Sequence, residues 1–135
     1  MITWISHYIT AAIVFTIVDF LWLSQVGKKL YDDRLGHMLA DSPNKGAAVL
    51  FYAIFIAGLV FFVIHPAVAQ GSWAYALGAG AFFGLVTYAT WDLTNLAVLK
   101  GFAASIVPID MAWGTVLAAT VSVVTFWISR LLNLG

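Results

Sequence analysis

Four apolar runs decide what this chain can fold into. They cover roughly residues 4–26, 47–69, 73–99 and 108–132. Each exceeds the ~20 residues a helix needs to cross ~30 Å of hydrocarbon. Lipid offers the backbone no hydrogen bonds, so a chain inside it folds as helices or as a closed barrel. Barrel strands alternate apolar and polar residues, whereas these runs are continuous. The sequence therefore predicts an all-α polytopic membrane protein, with four transmembrane helices in a compact bundle and residues 1–135 as one domain. Composition agrees: 9% of residues are charged, against about 25% in soluble domains.

Charge sets the expected orientation. Lys28, Lys29, Arg34 and Lys45 lie in the first loop and Lys100 in the third, while Arg130 alone falls on the other side. The positive-inside bias puts loops one and three in the cytoplasm and both termini outside, periplasmic for a bacterial inner membrane. The N-terminus lacks the basic stretch of a secretory signal and its apolar run is too long for one, so the first helix is expected to stay. With a net charge of zero, nothing favours nucleic acid as a partner. The absence of Cys excludes disulfides and thiolate metal sites.

The first loop is the one long connection. Leu30, Tyr31, Leu35, Met38 and Leu39 recur there at helical spacing between charges. The pattern predicts a short amphipathic helix on the membrane surface, or alternatively a lid over a site at that end. Asp41-Ser42-Pro43-Asn44 reads as a stop and turn before helix two. Helix two is almost wholly apolar, with Tyr52 near one end and His65 just before Pro66 at the other. His65 reads as an interfacial residue rather than a metal ligand. Helix three carries Gly80 and Gly84 and helix four carries Gly114, Ala118 and Ser122, small stripes that let backbones approach. Helices three and four are expected to pair, within one chain or across a dimer.

Three aspartates break the apolar runs: Asp19 in helix one, Asp92 in helix three and Asp110 at the start of helix four. A carboxylate at the centre of a membrane helix costs about 2.5–3.5 kcal/mol on insertion scales. With the expected topology, all three fall in the cytoplasmic half of the bilayer, at depths within roughly 5–10 Å of one another at 1.5 Å per residue. Tyr88, Asp92 and Asn95 share one helical face. If Pro108 opens helix four, Asp110 is its third residue and can accept free backbone N–H groups at the positive end of the dipole. Asp19 and Asp92 lie toward helix C-termini, where the dipole disfavours an anion, so each calls for a proton or a cation. Trp22 and Trp113 follow their Asp by three residues, on the same face, and Trp91 adjoins Asp92. The indoles serve either as an interfacial aromatic belt or as the wall of a pocket for an organic cation.

The metal chemistry is incomplete. Asp and Asn oxygens suit hard ions, but no HxxxH or ExxH pair exists, and His37 could add a ligand only if the first loop folded over the site. No metal site is predicted, and the sequence names no cofactor. No nucleotide-binding or hydrolase motif is present.

Asp19-x-x-Trp22, Trp91-Asp92-Leu93-Thr94-Asn95 and Asp110-x-x-Trp113-Gly114 together resemble the small four-helix bacterial inner-membrane proteins grouped as domain of unknown function 2177. The resemblance spans nearly the whole chain. One departure is that family members commonly carry Gly-Trp-Pro after the lysine that follows helix three, where this chain has Lys100-Gly101-Phe102-Ala103. The resemblance implies a small polytopic bacterial membrane protein and implies no reaction. The architecture is also similar to that of the small multidrug exchangers, but their membrane Glu in helix one is missing here.

The reading that follows is a cytoplasm-facing intramembrane pocket of Asp19, Asp92, Asn95 and Asp110, walled by Tyr88, Trp22, Trp91 and Trp113. It would bind or transport a cation or small amphipathic molecule with proton exchange. A chain this short encloses little volume, so a homodimer is expected. Two alternatives stand beside it: a membrane enzyme acting on a lipid or isoprenoid, and a non-catalytic assembly partner.

Overall fold

The computed structural model describes residues 1–134 and contains helices joined by short connections. Helix α1 (Ile2–Trp22) does not end at the membrane boundary. It runs through a π-helical turn at Leu23–Gly27 into α2 (Lys28–Leu35) and a final 3-10 turn at Gly36–Met38. Trp22 and Gly27 both keep right-handed helical backbone angles, so the helical path is unbroken. The expected helix of the first loop is present, but as an extension of helix one rather than a separate segment on the lipid surface. The reason is packing: Leu35, Leu30 and Tyr31 turn their apolar faces onto Phe102, Ile106 and Val107 around the last connection.

Asn44 ends the following turn and caps α3 (Lys45–Leu59), its side chain accepting from Ala47 N–H at 3.0 Å. A second π-helical turn, Val60–Ile64, joins α3 to α4 (His65–Gln70). Pro66 explains why the turn sits there. Proline has no N–H, so the carbonyl four residues earlier loses its helical partner. That carbonyl belongs to Phe62, and the Tyr75 hydroxyl donates to it at 3.0 Å. Gly71 then takes the left-handed conformation (φ 67°) that closes a helix C-terminus. Ser72 caps α5 (Trp73–Val98) by accepting from Tyr75 N–H.

The last helix, α6 (Ile106–Leu131), begins two residues before Pro108. It packs antiparallel along α5, with Gly80 against Ser122 and Gly84 against Gly114. A Cβ at Gly84 would collide with the Gly114 carbonyl, so the two backbones touch. The small-residue stripes therefore meet within one chain. Helix α1 packs on the other side of α6, and the core between them is built from Phe15, Phe55, Leu59, Leu117 and Phe126.

Three helical segments are long and apolar enough to cross a membrane: Ile2–Met38, Lys45–Gln70 and Ile106–Leu131. Helix α5 has the same 26 residues as α6 and lies beside it. Large apolar side chains such as Ile13, Phe20, Ile54, Phe82 and Val116 point outward, the arrangement expected where lipid is the solvent.

Candidate acidic pocket

The three aspartates do converge. Asp110 and Asp92 lie side by side near the end of the bundle that bears loops one and three, and both are buried. Asp19, half-buried on α1, approaches the same Asp110 and the Trp113 indole. Three helices thus deliver one acid each to one level.

A tyrosine comes with each part of the cluster. Tyr31 on α2 donates its hydroxyl to Asp110 Oδ1. Tyr52 on α3 donates to Asp19 Oδ2 at 3.2 Å. The Tyr88 ring covers Gly114, where an added Cβ would collide with it. Asp92 differs from the other two: both of its oxygens are buried and no donor reaches either. Buried polar groups are nearly always hydrogen-bonded, and an unsatisfied one costs about 1–3 kcal/mol. Asp92 is therefore the anomalous member of the cluster.

The N-terminal explanation for Asp110 does not hold. Because α6 starts at Ile106, Asp110 is its fifth residue, beyond the free N–H groups of the first turn, and its partner is Tyr31 instead. The aromatic residues divide. Trp22 and Trp113 stack face to face, with ring centroids 4.4 Å apart and planes 9° from parallel. The Trp22 indole fills the space a side chain at Gly27 would need, with its Nε1 atom 2.6 Å from the site of an added Cβ. Trp91 is half-exposed and packs edge-on to Phe102. Asn95, one turn beyond Asp92, is half-buried and makes no side-chain hydrogen bond to the acids.

A cavity of about 820 Å³ opens beside the cluster. Its walls are mostly apolar, from Phe20, Leu23, Leu35 and Phe51, with Tyr88 and Trp91 among the aromatic lining. Its polar lining comes from Asp110, Tyr31, Ser24 and Thr87, with Lys28 and Asp32 on α2. The extension of helix one forms one side of the cavity. His37 does not reach the acids. Its Nε2 lies 2.7 Å from the Gly101 carbonyl and ties the first loop to the third. Among the described residues no group of three or more His, Asp or Glu side chains is arranged to hold a metal ion.

Sequence reasoning missed Tyr31 and Tyr52 as members of the cluster. In the sequence Tyr31 fits an amphipathic pattern and Tyr52 is a residue near a helix end. Only the register between helices shows that each hydroxyl meets an acid.

The model of one protein family, described as predicted membrane protein (DUF2177), matches residues 4–127. The chain belongs to that family. The match takes in all three aspartates, as the DUF2177 resemblance of the Asp-x-x-Trp motifs implied. No curated protein and no solved structure matches the chain.

Proposed function

We propose that this DUF2177 protein binds a small amphipathic cation in the cavity beside Asp110 and exchanges it for protons on the aspartates. The carrying observation is the chemistry of that cavity, a mostly apolar lining that includes the Asp110 carboxyl group. An apolar body would lie against Phe20, Leu23 and Phe51, and a positive head would face Asp110. Tyr88 and Trp91 line the cavity and offer aromatic rings that attract cations. Asp92 is the proton-holding group of this reading. No hydroxyl or N–H reaches it and its neighbour is another carboxyl group, Asp110, so a proton is its means of neutralisation.

The charge bias of the loops supports a pocket opening to the cytoplasm from a bacterial inner membrane. The protein would act as a homodimer, since one chain covers the cavity incompletely. Transport is the expected consequence of coupling a cation to a proton in a bilayer.

The test uses tetraphenylphosphonium as the cationic probe and triphenylphosphine oxide as its neutral counterpart, with the protein in lipid nanodiscs. Tryptophan fluorescence should respond saturably to the cation and weakly to the oxide. In a weakly buffered suspension the cation should release protons. Asp110→Asn should weaken binding at least tenfold, about 1.4 kcal/mol, and Asp92→Asn should abolish proton release. An unchanged response in both variants would falsify this reading.

A further inference from the structure

The opposite end of the bundle holds a second buried polar cluster that the acidic pocket does not use. His7 on α1 is completely buried, and its Nδ1 lies 3.2 Å from Nδ1 of His65 at the start of α4. The Trp4 indole stacks on the His65 ring, with centroids 3.7 Å apart. The other ring nitrogen of His7, Nε2, is buried without a partner. On α6, Ser122, Thr125 and Ser129 share one face, all completely buried, and none of their hydroxyls has a partner. The backbone of Leu134, which donates to the Ser129 carbonyl, lies beside His7.

We propose that His7 and His65 form a shared proton-binding site at this end of the bundle, holding one added proton per pair and passing it from the half-exposed ring to the buried one. The hydrogen bookkeeping follows from the Nδ1···Nδ1 contact. In the neutral pair one ring carries Nδ1–H and donates it to the bare Nδ1 of the other, which carries its hydrogen on Nε2. An arriving proton bonds to Nε2 of half-exposed His65, the Nδ1–H of His65 moves to His7 Nδ1, and the Nε2–H of His7 is then free to leave. A second proton cannot be added without breaking the Nδ1···Nδ1 bond, so the pair takes up one.

The surroundings suit this role. Arg130 is the one charged side chain at this end among the described residues, and its guanidinium is turned over the Phe126 ring at 5.7 Å. Tyr75 is committed to the Phe62 carbonyl. From α5 the wall is Gly80, where an added Cβ would lie 2.8 Å from Ser122 Oγ. The Trp4 face is a favourable neighbour for a charged imidazole. Between this cluster and the aspartates lies the tight Gly84–Gly114 contact, so the bundle carries titratable groups on both sides of a close-packed waist.

The experiment is nitrogen NMR on the full chain labelled at histidine, in nanodiscs, titrated from pH 5 to 8. His7 and His65 should move together in a single step that ends at one proton per pair. In His65→Gln the joint step should disappear and His7 should follow its own curve. Two independent full protonations, or no protonation across the range, would overturn the proposal. So would a His7 curve unchanged by His65→Gln. If that variant does not fold, the wild-type titration decides alone, because a shared proton and two separate ones give different final charge states.

Discussion

At the scale of single residues, the aspartates have different partners and should respond differently to the same change. Asp92 has no donor to lose. Asp92→Asn should therefore leave thermal stability in nanodiscs unchanged or slightly raised, while a structural inter-helix bond at that site would make the variant less stable. Asp110 has one donor, the Tyr31 hydroxyl. Tyr31→Phe leaves a buried carboxyl oxygen unpaired, an effect of about 1–3 kcal/mol. It should also loosen the extension of helix one, seen as faster hydrogen exchange over residues 28–38. If exchange there stays as slow as in the wild type, the Tyr31–Asp110 bond does not hold the extension in place.

At the scale of helices, two contacts make sharp predictions. Gly84 meets the Gly114 carbonyl, a backbone atom that cannot rotate away. Gly84→Ala must push α5 from α6, and overpacking of this kind costs about 1–3 kcal/mol or more. A full-length Gly84→Ala protein with wild-type unfolding would contradict the contact. At Pro66, the Tyr75 hydroxyl stands in for the missing N–H. Tyr75→Phe should cost about 0.6–1.7 kcal/mol, the range measured for hydrogen bonds between membrane helices. In a Pro66→Ala background, where the chain can supply its own N–H, the same change should cost close to nothing. A double-mutant cycle measures the difference.

These contacts also mark how far the sequence could be read. The four apolar runs gave the helices, because length and hydropathy are local properties. Asp19, Asp92 and Asp110 could be brought to one level because residue counting along a helix is a ruler. The glycine stripes announced a close approach, though not that it lies within one chain. Tyr52 and His7 escape because each is a single polar ring in an aromatic-rich helix, indistinguishable in sequence from interfacial residues, and Tyr31 because it fits an amphipathic pattern between charges. Asn95 was over-read: a shared face with Asp92 does not bring its amide to the other acids. The start of α6 was misplaced because Pro108 looks like a first residue but follows Ile106 and Val107 inside the first turn.

At the scale of the whole molecule, both clusters hang on α1. The His37–Gly101 hydrogen bond places loops one and three at the same end. Single cysteines replacing Asp41 or Lys100 should react with an impermeant reagent from one side of the membrane, and one replacing Gln70 from the other. Asp41→Cys and Lys100→Cys labelled from opposite sides would break the topology. The unbroken path of α1 has a mechanical corollary. His7 and Asp19 are separated by about 18 Å on one helix at 1.5 Å per residue, with fully buried Ala11 between them. A rigid rod held near its middle behaves as a see-saw: tilting that draws one end toward α6 swings the other away. Whatever shifts the imidazoles at one face is then felt by the carboxylate at the other, with no wire of contacts required between them.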